Sequence, residues 1–181
     1  EGSNEENVIT IDASLSINVS TGFSVGGFPA GLTIDGNGAT ITTTNNAAVF
    51  GFRVEQTDVT ISNLLINGFS DNGIEINASN CTVVNCVITN NGESGIFVEG
   101  TVDIPIENTV IGALDSNDGN MLGGNGTDSS TRGHGIRLIR AAGTLIYNNL
   151  IGESAPGAMP AIDGNAGRGV YVENSSDTTI G

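Results

Sequence analysis

The sequence predicts an all-β protein: a right-handed parallel β-helix, a solenoid with three parallel sheets and about 22 residues in each coil. Three observations lead to this prediction. Sequence positions recur about 22 residues apart, each repeat contains three short alternating apolar runs, and the residues between runs favour tight turns. With 181 residues, the chain is long enough for one domain with a sizeable core.

The repeat is clearest in the middle of the chain. Several positions recur there at the same spacing: Gly51, Gly73 and Gly95; Thr60 and Thr82; Asn63 and Asn85. One coil contains the runs 73–76, 81–84 and 86–89. Runs this short, with turns unsuited to hairpins, pair with their own copies in the next coil. They therefore form the first, second and third strands of each coil and stack into the first, second and third sheets.

Alternation along each run predicts which side chains point into the solenoid. The inward positions form aliphatic columns: Ile74, Ile76, Ile96, Val98, Ile136 and Leu138 in the first sheet; Val59, Ile61 and Val83 in the second; Leu64, Ile66 and Ile88 in the third. Cys81 and Cys86, the two cysteines, fall in the second and third of these columns. We therefore expect two buried free thiols, since two cysteines make no disulfide framework and no zinc spacing is present.

Asparagines recur at the sharp corner that we expect between the second and third strands. They are Asn63, Asn85, Asn108 and Asn148. A corner without spare residues favours the left-handed backbone conformation, which Asn tolerates. The pattern predicts stacked amides that bond along the solenoid.

Regularity changes along the chain. Residues 1–30 are predicted to form irregular entry strands or a cap, and 31–181 the parallel β-helix. Long loops are expected at 112–134 and 152–168, between a third strand and the next first strand, so that both lie over the first sheet. The sequence ends within a coil and without a polar cap, which suggests either an excerpt of a longer protein or end-to-end self-association.

Composition restricts the partners. The formal net charge is −15, with 20 acidic residues, five arginines and no lysine. Such a field disfavours nucleic acid and anionic membrane surfaces, and no run approaches the ~18 apolar residues of a membrane span. An acidic, lysine-free surface suits an extracellular setting, in a secreted or cell-surface protein.

The outward positions of the first sheet form the candidate ligand-binding face. One column is predicted to contain Arg53, Glu75, Phe97, Arg137 and Tyr171. Arginines and acids bond sugar hydroxyls or carboxylates, and aromatic faces stack on sugar rings, so we expect a polysaccharide or cell-surface glycan as partner. The alternative interpretation is a solvated sheet face with cross-strand ion pairs such as Arg53–Glu75. Arg140 belongs to the same arginine-rich stretch, and we include it among the candidate ligand-binding residues.

The repeat, the corner asparagines and the stretch LTIDGNGATI at 32–41 resemble the parallel β-helix repeat superfamily, the pectate-lyase-like fold. Pectate lyases, polygalacturonases, tailspikes and many bacterial surface proteins share it. The segments NTVIGALDSNDGN and NNLIGESAPGAMPAIDGNAGRGVYV further resemble repeats of large secreted bacterial surface proteins. The resemblance implies the fold and an extracellular setting, but one fold carries many activities.

Catalytic signals are incomplete. Gly133-His134-Gly135 resembles the Gly-His-Gly motif of polygalacturonases, which would make His134 an aid to a general acid. That family takes its two carboxylates from an Asn-Thr-Asp motif and an Asp-Asp pair, and the Asp pair is absent from the aligned stretches Ser70–Ile74 and Gly92–Gly95. Arg137 is a candidate base for a pectate-lyase-like elimination, although the Arg-x-Pro-x-x-Arg pattern of those lyases is absent.

One turn concentrates hard oxygen ligands. Asp115, Asn117 and Asp118 lie in a stretch similar to a shortened calcium loop that lacks the closing Glu. An Asx-rich turn without metal is the alternative. We therefore expect no required cofactor, with calcium as the candidate cation.

These observations favour a non-catalytic extracellular module that acts in adhesion, carbohydrate binding or as a rigid spacer. A polysaccharide lyase or glycoside hydrolase working in the first-sheet groove is the first alternative. A self-assembling structural subunit that stacks end to end is the second.

Overall fold

The computed structural model describes residues 7–28, 31–44, 49–114, 118–127, 132–152 and 164–181. These residues form strands and turns without a helix, and every strand pairing is parallel. Three sheets of stacked strands wind into a right-handed parallel β-helix, as predicted. Arg53 pairs with Glu75 and Glu75 with Phe97, which gives the 22-residue coil in this part of the chain.

Each sheet takes one strand from successive coils. The first sheet contains β3 (Phe23–Val25), β6 (Phe52–Val54), β9 (Ile74–Ile76), β12 (Ile96–Glu99), β16 (Ile136–Ile139) and β20 (Val170–Glu173). The second contains β1 (Asn7–Thr10), β4 (Leu32–Asp35), β7 (Val59–Ser62), β10 (Thr82–Val84), β14 (Val110–Gly112), β18 (Leu145–Tyr147) and β21 (Thr179–Ile180). The third contains β2 (Ser16–Val19), β5 (Thr40–Thr43), β8 (Leu65–Asn67), β11 (Val87–Thr89), β15 (Met121–Gly123) and β19 (Leu150–Ile151). A short extra pair joins β13 (Ile106–Glu107) to β17 (Ala141–Ala142).

The predicted inward columns form the core. Ile74, Ile76 and Ile136 have no exposed surface, and the other predicted inward side chains are also buried. Cys81 and Cys86 are buried and free, as predicted. Burial raises the pKa of the Cys86 thiol to about 12, so this cysteine stays a neutral core side chain.

The corner asparagines adopt the expected conformation, with φ of 56° at Asn63, 51° at Asn85 and 54° at Asn148. The Asn85 Nδ2 atom donates to Asn63 Oδ1 at 2.6 Å, which gives the predicted amide stacking. Asn108 also has a positive φ, but its expected corner is wrong. It lies before β14 and bonds to Asn80, because the extra strand β13 shifts this coil by one corner.

The range 112–134, predicted to be a single loop, contains strand β15. This strand pairs with β11 and directs Leu122 into the core, where it is fully buried. Insertions therefore precede and follow a third strand, and the first of them lies at the corner after the second strand. The 152–168 loop is described only at residue 152 and from residue 164 onward.

The first part of the chain is more regular than predicted. Strands β1, β2 and β3 each add to one of the three sheets, by pairing with β4, β5 and β6. The described residues 7–28 thus form a coil of the solenoid, because their alternating apolar residues match the next coil in register.

Candidate functional site

The outward column of the first sheet has the predicted register. Arg53 pairs with Glu75, Phe97 pairs with both Glu75 and Arg137, and Arg137 pairs with Tyr171. Parallel pairing without a slip places these five side chains along one line across successive coils.

The first two side chains of this column, Arg53 and Glu75, bond to each other and to neighbouring side chains. Arg53 Nη2 lies 3.0 Å from Glu75 Oε2, which confirms the predicted cross-strand ion pair. The Arg53 guanidinium also lies 4.0 Å from the centroid of the Phe50 ring. Asn77 Nδ2 donates to the other oxygen of the same carboxylate at 3.1 Å. Arg53 and Glu75 therefore stabilise the sheet face.

The other three side chains of the column are Phe97, Arg137 and Tyr171, and Arg137 is the cation among them. The Arg137 guanidinium lies 4.7 Å from the centroid of the Phe97 ring, and Phe97 is only 7% exposed. Phe97 thus supports the guanidinium of Arg137 and does not offer an open ring to a ligand.

Five side chains line a pocket of about 250 Å³ at the edge where the first-sheet strands begin. We call it the arginine pocket, and its residues are Arg132, His134, Arg137, Arg168 and Tyr171. The His134 and Tyr171 rings are stacked, with centroids 4.9 Å apart and an angle of 10° between their planes. The Arg168 guanidinium lies 5.1 Å from the centroid of the same tyrosine ring. Three of the five arginines in the chain converge here.

His134 is held by a backbone contact. It is 3% exposed, and its Nδ1 atom accepts a hydrogen bond from the Arg168 N–H at 2.9 Å. Burial, and then the charges of Arg137 and Arg168, keep the pKa of His134 below its usual value. The imidazole is therefore neutral at pH 7 with its proton on Nε2. It links the Arg168 backbone, through the hydrogen bond, to Tyr171, through the ring contact.

A pair of carboxyl groups adjoins the pocket. Glu93 Oε1 lies 3.1 Å from Arg132 Nη1, and Glu93 also shares a side-chain hydrogen bond with Asp71, one coil earlier. Burial raises the pKa of Asp71 to about 6, helped by the charge and hydrogen bond of Glu93, while Arg132 opposes the shift. This pair holds Arg132 at the pocket rim.

The family model described as "Protein of unknown function (DUF1565)" matches residues 8–177. The chain belongs to the DUF1565 family. The family is parallel β-helix-like, in agreement with the stacked parallel sheets. No curated protein and no solved structure is significantly similar to the chain. The described residues include no helix long and apolar enough to cross a membrane.

The predicted calcium ligands are only partly described. Asp115 and Asn117 lie outside the described residues, and Asp118 lies within them. Among the described residues, no group of three or more His, Cys, Asp or Glu side chains is arranged to hold a metal ion. Calcium at this turn stays a prediction.

Arg140 lies away from the arginine pocket, in a groove of about 630 Å³ at the opposite edge of the first sheet. We call it the edge groove, and its residues include Glu75, Asn77, Glu99, Val102, Ile104 and Arg140. Val102 and Ile104 are 82% and 69% exposed. The predicted ligand-binding residues therefore divide between two ends of one sheet face.

Sequence reasoning missed four residues of the site: Asp71, Glu93, Arg132 and Arg168. The signal was the density of arginine between 132 and 168 in a chain with only five. The register was hidden because Arg132 meets Glu93 across 39 residues, well beyond the 22-residue repeat.

Proposed function

We propose that this DUF1565 protein is a non-catalytic extracellular β-helix module that binds an anionic carbohydrate in the arginine pocket. The observation that carries the proposal is the convergence of three arginines on one pocket of a chain with net charge −15. A rigid solenoid suits such a module, since each strand pairs with its copies in neighbouring coils.

The pocket has the chemistry for a carboxylate or sulfate group on a sugar. Guanidinium groups bind such anions through two parallel hydrogen bonds. Within the described residues, Arg137 and Arg168 have aromatic partners and no carboxylate partner. An added anion would therefore meet cations that no described acid neutralises directly.

The adjacent rings hold the pocket in place. His134 is 3% exposed and its ring stacks on Tyr171, and the Arg168 guanidinium lies 5.1 Å from the centroid of the Tyr171 ring. These contacts keep Arg168 in position for an acidic group carried by a sugar.

The rest of this sheet face disfavours an anion. Glu75 and Glu99 line the edge groove across the sheet from the pocket. Because these carboxylates repel an acidic sugar, the acidic group of the proposed ligand binds in the arginine pocket and not in the edge groove.

A binding assay with matched variants tests the proposal. The probe is a sulfated dextran oligosaccharide, measured by calorimetry against the wild type, Arg137→Ala and Arg168→Ala. Each variant should bind about tenfold more weakly or worse, because charge-assisted hydrogen bonds contribute about 1.5–3 kcal/mol. Arg140→Asn is the control, since it removes the same charge outside the pocket and Asn tolerates the φ of 51° found there.

Two results would oppose the proposal. If Arg140→Asn weakened binding equally, the loss would be a general effect of charge. If the wild type did not bind the oligosaccharide, the proposal that the pocket binds an anionic carbohydrate would be wrong. The enzymatic alternative has its own readout on uronate-containing polysaccharides, in which new double bonds indicate a lyase and new reducing ends without them indicate a hydrolase.

A further inference from the structure

We infer that the arginine pocket binds its anionic group together with a proton, which the carboxyl pair Asp71–Glu93 holds beside Arg132, so that affinity rises as the solution becomes more acidic. This inference rests on the proposed function and specifies how the same site is regulated.

The carboxyl pair is built into consecutive coils. The Glu93 N–H donates to the Asp71 carbonyl oxygen at 2.9 Å, which fixes the two residues one above the other. Asn72 Nδ2 donates to Asp71 Oδ1 at 2.8 Å. The Glu93 side chain is 15% exposed, so little water reaches the pair on that side. Two carboxyl groups in this contact are most stable with one proton between them.

Two further charged side chains, Glu75 and Arg132, act on the pKa of Asp71. Glu75 adds a third negative charge, which is itself bonded to Arg53. Arg132 is the cation that favours ionisation of Asp71. Together with the partial burial of Asp71, these groups place the pKa of Asp71 at about 6, within the range that external pH can cross.

The coupling has a defined sign. With both carboxyl groups ionised, two negative charges oppose an anion that approaches Arg132. With the proton bound, one charge remains, and the Arg132 guanidinium divides its hydrogen bonds between Glu93 and the ligand. Affinity therefore increases as the pH falls through about 6. By reciprocity, the bound anion raises the pKa of Asp71 further, and binding takes up a proton.

Tyr171 also lines the pocket, but its hydrogen bond to Glu173 raises the pKa above the ordinary value of 10, so it stays neutral between pH 5 and 8. His134, with its charged neighbours Arg137 and Arg168, is therefore the other group at the pocket to consider in this range. Protonation of His134 would also favour an anion at low pH. The test must therefore distinguish the carboxyl pair from the imidazole.

The experiment is a calorimetric titration of the wild-type protein with the sulfated dextran oligosaccharide, whose sulfate groups stay ionised from pH 5 to 8. We expect about tenfold tighter binding at pH 5 than at pH 8, within the usual range of coupling between sites. Asp71→Asn, which resembles the protonated carboxyl group, should bind tightly at both pH values and lose most of this dependence. Glu107→Gln, an exposed acid outside the pocket, removes the same charge and should keep it.

A second measurement needs no variant. Titrations at pH 6 in buffers of different ionisation enthalpy report the protons taken up on binding, and we expect net uptake. Binding that is equally tight at pH 5 and 8, or an unchanged pH dependence in Asp71→Asn, would overturn the inference and leave the proposed function intact. No binding at any pH would instead overturn the proposed function itself.

Discussion

At the scale of single residues, buried amides satisfy the backbone where the coils change length. Asn91 Nδ2 donates to Asn125 Oδ1 at 3.0 Å, and Asn125 Nδ2 donates to Asn165 Oδ1 at 2.9 Å. The Asn125 oxygen also accepts the Asn91 backbone N–H at 3.2 Å. Each amide thus bonds both its neighbour's side chain and its backbone, which keeps buried polar groups paired.

Two buried threonines contrast with these amides. The hydroxyl oxygens of Thr109 and Thr144 are fully buried and have no hydrogen-bond partner. We predict that Thr144→Val, which keeps the shape and removes the hydroxyl, raises the free energy of unfolding by about 1 kcal/mol or more, since an unpaired buried hydroxyl is costly. Urea denaturation measures the change.

The same substitution at Thr89 is the control. Its buried hydroxyl accepts a hydrogen bond from Asn67 Nδ2 at 2.9 Å, so Thr89→Val should lower stability. Opposite signs at the two positions would support this account of buried hydroxyls. A loss of stability in both variants would contradict it.

At the scale of the strand and its turn, glycine precedes each first strand where coils approach closely. A Cβ atom at Gly95 would lie 2.8 Å from the Gly135 oxygen and 2.9 Å from Leu122 Cδ2. We predict that Gly95→Ala lowers the free energy of unfolding by about 1–3 kcal/mol, because the backbone of the next coil must move. Gly26→Ala is the matched control, since its nearest neighbour would lie 3.7 Å away. Equal losses, measured by urea denaturation, would show that close packing of coils is not the cause.

How far the sequence predicts these elements depends on the spacing of the repeat. Between Gly51 and Glu99 the spacing is constant, so the strands, the inward columns and the outward column follow directly from alternation. After Glu99 the spacing changes: Asn91 bonds to Asn125, 34 residues later, where the regular repeat would give 22. Because of these extra residues, the repeat does not predict strand β15 or the corner at which Asn108 lies. The arginine pocket was missed for the same reason, since Arg132 and Arg168 precede strands whose register only the folded coils fix.

At the scale of the whole molecule, acidity should stabilise the fold. The pKa of Asp71 rises from an ordinary value of 3.8 to about 6 on folding, so between these values the folded protein holds a proton that the unfolded chain has released. This contribution is fully present below the lower value and is lost as the pH rises through about 6. We predict that the midpoint of urea unfolding decreases between pH 5 and pH 7.5, and that the decrease is smaller in Asp71→Asn. The same decrease in both proteins would show that the general negative charge alone is responsible.

The overall charge also bears on the predicted end-to-end self-association. A net charge of −15 separates copies of the chain at low salt, whereas exposed apolar residues of the first coil, such as Phe23 and Phe28, favour contact. End-to-end self-association stays a prediction, tested by the molecular mass over a range of protein and salt concentrations.

His134 allows a direct test of whether the arginine pocket is the binding site. It is the only histidine in the chain, and it is buried against Tyr171 and Arg168 in the pocket, so its ring protons give an isolated NMR signal. On titration with the sulfated dextran oligosaccharide, these protons should shift and saturate with the same midpoint as the calorimetric binding curve. Binding that saturates by calorimetry while the His134 ring protons stay unmoved would contradict the claim and locate the ligand elsewhere on the solenoid.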